Sequence, residues 1–170
     1  GLGGDIEYLY RIDGEEYLDP YVREVSTVKG QRRGAVVQES YDWENDVPLM
    51  LPQHEVVAYS LHVKGFTRQS ASGVRHKGTF TGLVEKIPYL AGLGINQIHC
   101  MPVYEFDNGG KNGVNYWGYG PGYFFAPKSS YAAGEHPVTE LKDMIKACHK
   151  AGIEVILEMP FDASAGRQLM

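Results

Sequence analysis

The rhythm of apolar and polar positions changes near residue 55. Before that point apolar residues come in short runs divided by turn chemistry. Ile6 to Ile12 reads as a strand, Asp13-Gly14 as a tight hairpin turn and Tyr17-Leu18 as the return, and Asp19-Pro20-Tyr21 breaks the run. Ala35 to Gln38 reads as a further strand, and Tyr41 to Pro52 as a linker rich in acidic residues and proline. From Glu55 the pattern becomes longer and cleaner. Val57, Tyr59, Leu61 and Val63 alternate, which predicts a strand over 56–63. Phe80, Leu83, Ile87 and Leu90 recur at helical spacing and predict a helix over 81–93, stopped by Gly94. Pro88 interrupts that stripe and predicts a kink or a helix in two pieces. Ile95 to Val103 reads as a strand and 104–136 as a long irregular stretch. Val138, Leu141, Ile145 and Cys148 form the next helical stripe, over 138–151, with Lys142, Asp143, Lys146 and Lys150 on the wet side. Gly152 ends it and 153–157 reads as a third strand.

Leu93-Gly94-Ile95 and Ala151-Gly152-Ile153 are the same junction twice: a helix, a glycine stop and an immediate apolar strand. Strand, helix, strand, helix, strand with buried strands predicts a parallel sheet with right-handed crossovers, of the α/β class. An open doubly wound sheet and the first strands of a (β/α)8 barrel both fit. Residues 1–50 are too few for a core of their own and read as the last hairpin of a β-domain plus a strap into the next unit. The chain opens Gly1-Leu2-Gly3-Gly4 and closes at Leu169-Met170, just past an apolar run, so it reads as a piece of a longer polypeptide.

The composition changes this picture only by exclusion. With 43% hydrophobic and 22% charged residues among 170, the chain is an ordinary globular sequence. Its 16 Lys and Arg against 21 Asp and Glu disfavour a phosphate-tracking surface, so nucleic acid is not the expected partner. No apolar run approaches the ~18 residues of a membrane span, so no membrane association is expected. Cys100 and Cys148 make no CxxC pair and read as two buried thiols, which leans towards a reducing, cytoplasmic compartment.

In parallel α/β folds ligands sit at the carboxyl ends of the strands. The stretch after strand two is therefore where chemistry is sought. Between Tyr104 and Tyr131 lie nine of the chain's twenty aromatic residues, interleaved with Asn108, Gly109, Gly110, Asn112, Gly113 and Asn115. A connection of about 33 residues is far longer than an ordinary strand-to-helix turn. Flat aromatic faces beside amides suit sugar rings, which present C–H patches and equatorial hydroxyls; packing of the loop is the competing account. His62 lies at a strand end. Glu158 and Asp162 follow strand three as a candidate carboxylate pair. No phosphate loop, HExxH or GxSxG is present, so no nucleotide, metal or other cofactor is expected.

At these residues the chain resembles the α-amylase superfamily (glycoside hydrolase family 13) in its isoamylase, pullulanase and glycogen-debranching branch. Tyr59-Ser60-Leu61-His62-Val63-Lys64-Gly65-Phe66-Thr67 is similar to the family's Y-E-x-H-V-x-x-F-T at barrel strand one. Lys86-Ile87-Pro88-Tyr89-Leu90 through Leu93-Gly94-Ile95 resembles helix one, and Met101-Pro102-Val103 the end of strand two. Asn115-Tyr116-Trp117-Gly118-Tyr119-Gly120 resembles a hallmark string of the debranching branch. Asp19-Pro20-Tyr21 looks like the end of the family's N-terminal β-sandwich and Tyr41-Asp42-Trp43-Glu44 like the linker.

The resemblance implies the first three β/α units of a (β/α)8 TIM barrel over 51–170, preceded over 1–50 by the remnant and linker of a glycan-binding-type β-sandwich. It implies an α-glucan partner such as glycogen, starch or pullulan, in oligosaccharide or polysaccharide form, and a need for the rest of the barrel. It further implies a retaining mechanism with two carboxylates ~5–5.5 Å apart. The family carries its catalytic groups after strands four, five and seven, so no catalytic residue is expected here and the segment alone is expected to be inactive. Tyr119 matches the tyrosine that stacks on the sugar beside the cleaved bond, with Trp117, His62, Glu158 and Asp162 as further substrate-binding candidates. The strand-three motif, D-x-x-x-N-H in the family, reads Glu158-Met159-Pro160-Phe161-Asp162-Ala163, and Ser60 replaces the strand-one glutamate. These departures leave a second expectation, a degenerate member that binds glucan without cleaving it.

Overall fold

A computed structural model describes residues 6–37, 40–108 and 115–161. The N-terminal part is built on two tight hairpins. β2 (Tyr10–Ile12) and β3 (Glu15–Tyr17) pair antiparallel about Asp13 (φ 51°) and Gly14 (φ 88°), the two left-handed positions of a type I′ turn. β4 (Val25–Val28) and β5 (Gln31–Ala35) repeat the device at Lys29 (φ 50°) and Gly30 (φ 83°). β1 (Glu7–Tyr8) pairs with β5, not with the first hairpin, so the run expected as one strand over 6–12 splits between two sheets. The strand expected over 35–38 is corrected to Gln31–Ala35, which shares only Ala35 with it, and Gln38 lies outside the described residues. Asp19, at the expected break, is 8% exposed and anchors the connection. Its carboxylate accepts from the Tyr8 hydroxyl at 2.7 Å and the Tyr21 amide at 2.8 Å. The small apolar centre here, Val22 and Val25, is completed by Ala126 from far along the chain.

The second part is a parallel three-stranded sheet. β6 (Ala58–Leu61), β7 (Gln97–Cys100) and β10 (Glu154–Leu157) lie side by side in sequence order, with β7 central. In register, Tyr59, Ile98 and Val155 form one row and Leu61, Cys100 and Leu157 the next. These six side chains join Phe80, Leu83, Leu90, Met144 and Cys148 in the main core. Period-two alternation sends Ser60, His99 and Ile156 to the other face. There Gln97 donates to Glu154 at 2.8 Å and pairs with His99 at 2.7 Å. Cys100 and Cys148 are both free and buried, and burial pushes the Cys148 thiol up to about 12.

Two helical junctions close this unit identically. α3 (Ile87–Gly92) and α4 (Pro137–Lys150) each end in a Schellman motif. Gly94 (φ 78°) donates to Ala91 and Ile95 to Leu90; Gly152 (φ 76°) donates to His149 and Ile153 to Cys148. The helix expected over 81–93 is in two pieces, α2 (Phe80–Val84) and α3. Pro88 sits in the first turn of α3, where its missing N–H has no intrahelical acceptor to lose.

Two further expectations are corrected. The strand expected through Val63 stops at Leu61, and α1 (Val63–Arg68) follows at once. His62 caps it, its Nδ1 accepting from the Gly65 amide at 2.9 Å. The stretch 104–136 is not wholly irregular: β8 (Tyr104–Phe106) and β9 (Gly122–Pro127) form an antiparallel hairpin at the base of the long loop.

The acidic linker is docked. The Tyr41 hydroxyl donates to Asp143 at 2.7 Å, and Lys142 and Lys146 lie 5.1 and 5.0 Å above its ring. Lys146 donates to Glu44 at 2.8 Å, Asp46 pairs with His149 at 2.9 Å, and the Leu51 amide donates to Glu154 at 3.2 Å. Residues 41–51 thus form a strap over α4 and the start of β10.

Candidate functional site

The string Asn115-Tyr116-Trp117-Gly118-Tyr119-Gly120 crosses from the end of β6 to the end of β10, and each residue has a physical task. Asn115 clamps the turn with both ends of its amide, accepting from the Gly118 N–H and donating to the Tyr119 carbonyl, each at 3.0 Å. Gly118 (φ 84°) lies on the Phe106 ring, where a Cβ would stand 2.5 Å from a ring carbon. Only glycine satisfies both constraints. Gly120 (φ 119°) turns the chain back, its carbonyl held by the Tyr104 hydroxyl at 2.7 Å.

The intervening aromatic residues divide between support and exposure. Tyr116 stacks on His62, with ring centres 4.6 Å apart and planes 8° from parallel. Trp117 meets His62 edge-on at 5.9 Å and is 55% exposed. His62 itself is 6% exposed. Because Nδ1 accepts from the Gly65 amide, the network assigns the proton to Nε2, which donates to the Tyr116 carbonyl at 2.8 Å. The Tyr131 hydroxyl lies 3.1 Å from the same nitrogen. Burial lowers the imidazole's pKa, so the ring is a neutral buttress under the string.

Tyr119 is 47% exposed, and its hydroxyl donates to Glu158 at 2.6 Å, the short range of a phenol–carboxylate bond. That bond is the chief reason the Tyr119 pKa is raised. Glu158 is the first residue past β10, and its amide still donates to Cys100 across the sheet at 3.0 Å. The candidates thus fall into two contacts, Trp117 with His62 and Tyr119 with Glu158, linked by the string. Asp162 lies outside the described residues.

Sequence reasoning missed the base of the site. Lys128 and Glu105 form an ion pair at 2.7 Å with side chains each 2% exposed. Lys128 also donates to the Phe106 carbonyl at 2.8 Å and stands 4.3 Å over its ring, while Glu105 accepts from the Ser129 amide at 2.7 Å. Burial lowers the Lys128 pKa against the pull of Glu105. The available signal was a charge inside one apolar run, Tyr104-Glu105-Phe106, and another closing the next, Phe125-Ala126-Pro127-Lys128. Among the described residues no group of His, Cys, Asp or Glu is arranged to hold a metal ion. Among them also, no helix is long and apolar enough to cross a membrane.

Residues 60–165 match the family model for the alpha amylase catalytic domain. The chain is 36% identical to the glycogen operon protein GlgX homolog of Haemophilus influenzae, a match covering 97% of this chain and 30% of that protein. It is 37% identical over 136 residues to the chloroplastic isoamylase 1 of Oryza sativa subsp. japonica, covering 74% of this chain and 17% of the relative. The chain therefore spans less than a third of either relative. Pullulanase type I from Bacillus subtilis, solved with maltose, superimposes with a TM-score of 0.77 at 30% identity, over 95% of this chain and 26% of the pullulanase. With the string of residues 115–120 in place above the parallel strands, the chain belongs to the alpha-amylase family, in its isoamylase, pullulanase and glycogen-debranching branch.

Proposed function

We propose that this chain supplies the first three β/α units of a debranching-type (β/α)8 barrel and part of its α-glucan-binding cleft. Residues 1–50 would be the end and linker of a preceding β-sandwich, and 51–170 the barrel segment. The observation that carries the reading is Tyr119: a half-exposed ring tied to Glu158 at the carboxyl end of β10. That end of a parallel barrel is where substrate sits. The ring offers a flat face to the C–H patch of a glucosyl unit, Trp117 a second, and Asp162 an acceptor for its hydroxyls, with Glu158 beside the ring. His62 serves the site by holding Tyr116 and Trp117. Support comes also from the pullulanase solved with maltose and from the sheet itself, since β6 and β10 each pair on one side only among the described residues. The rest of the barrel is the natural partner of those edges.

Catalysis would require the carboxylates that the family carries on later strands. A second reading, a glucan binder without turnover, is favoured by Glu158, Asp162 and Ala163 standing where the family has Asp, Asn and His. Calorimetric titration with maltotetraose tests the site. Tyr119→Ala should weaken binding by about 1–2 kcal/mol, the scale of one lost aromatic contact, and unchanged affinity would sink the assignment. Reducing-end release from glycogen and pullulan, measured on a protein that joins this segment to the family's later barrel strands, separates the two readings: turnover at ordinary glycosidase rates rejects the second, and its absence with binding intact rejects a debranching glycosidase.

A further inference from the structure

The Tyr119 ring makes no contact with another ring among the described residues, and its side-chain hydrogen bond is the one to Glu158. An exposed tyrosine so placed would sample several rotamers, and a ligand stacking on it would have to freeze one. Its backbone, by contrast, is fixed, since Asn115 holds its carbonyl and the Gly118 amide, and the Tyr104 hydroxyl holds the Gly120 carbonyl. The acceptor is equally fixed. Glu158 continues the ladder of the parallel sheet through its amide, so its carboxylate is built out from the end of β10.

We propose that Glu158 is a positioning residue for Tyr119: it tethers the phenol across the gap between the loop and β10 and presets the ring as a rigid stacking face. The proposal rests on the reading of Tyr119 as a glucan platform and narrows the role of Glu158 within it. Side-chain length is part of the argument. The carboxylate of Glu158 stands one methylene further from the backbone than that of the aspartate in the D-x-x-x-N-H pattern. With the hydrogen bond at 2.6 Å, the shorter aspartate cannot reach without moving the strand end or the loop. The substitution therefore does something in this chain: it exchanges a short acid for a latch.

Two measurements test this on the same set of variants. The first follows the titration of Tyr119 by NMR of ring-labelled tyrosine, assigned with Tyr119→Phe. Glu158→Gln removes the negative charge while keeping length, and should move the phenol's titration down towards its ordinary value, as the carboxylate holds it up now. An unmoved titration overturns the latch. The second is maltotetraose affinity. Glu158→Asp and Glu158→Ala should each weaken binding about three- to tenfold, the scale of ordering one freed side chain. On the Tyr119→Phe background, where the tether is already gone, Glu158→Ala should add nothing. A further loss there would mean that Glu158 touches the sugar itself, and would overturn the positioning role. If the titration moves and the unsubstituted chain fails to bind maltotetraose, the latch stands and the glucan reading falls.

Discussion

Lys128 and Glu105 face each other at 2.7 Å with both side chains 2% exposed, and Lys128 stands 4.3 Å from the Phe106 ring against which Gly118 rests. The pair is saturated: Lys128 also reaches the Phe106 carbonyl, and Glu105 the Ser129 amide. Removing one partner strands a charge away from water. Lys128→Met should therefore cost about 3–5 kcal/mol in urea unfolding. Glu105→Gln combined with Lys128→Met should cost clearly less than the two single losses added together. A Lys128→Met protein within about 0.5 kcal/mol of the parent would show that the charges are solvated.

Two glycines with nearly equal φ separate backbone strain from crowding. Gly94 (φ 78°) has open space where a Cβ would go, whereas Gly118 (φ 84°) has the Phe106 ring at 2.5 Å. Gly94→Ala should cost only the left-handed penalty, about 1–2 kcal/mol. Gly118→Ala adds overpacking and should cost about 2–4 kcal/mol, with near-ultraviolet changes from displaced Trp117. Equal losses at the two positions would contradict the contact.

His62 gives the stability a defined pH dependence. Burial places its folded-state pKa below the ordinary 6.5, so between those two values the unfolded chain binds a proton that the folded one refuses. Stability from this group is complete above about pH 6.5, falls as pH drops through that window, and levels off once both states are protonated. Replacing His62 by Asn keeps a cap for α1 and should flatten the unfolding midpoint between pH 7 and pH 5. Parallel slopes for the two proteins would refute the assignment.

The parts of the fold that repeat were legible in the sequence. Both helix–glycine–strand junctions and the break at Pro88 follow from local chemistry, because a left-handed glycine or a missing N–H acts whatever surrounds it. Asp13-Gly14 was legible for the same reason, and Lys29-Gly30 carried the same information unread. α1 was hidden because its cap is a histidine and its six residues are too few to show a period; alternation through Val63 fitted a strand equally well. β8 was hidden by its three residues, all buried, which leave no polar face to alternate with. At the site, Tyr119 and Trp117 were visible as residues. The Glu158 latch and the His62 buttress were not, since each joins residues 39 and 54 positions apart across tertiary space.

The strap over α4 has a bearing on the order in which the chain assembles. Tyr41 and Asp143 are 102 positions apart, and closing such a loop from the open chain costs on the order of 4 kcal/mol of entropy. Once β6, β7 and β10 have paired, the loop from Ala58 back to Leu51 is short, and with Leu51 held beside Glu154 only the ten positions from Leu51 to Tyr41 remain to be closed. The sheet meets the entropic cost and the strap arrives almost free of it. Its contacts are therefore expected to form after the sheet, so that loosening them should speed unfolding and leave the folding rate unchanged.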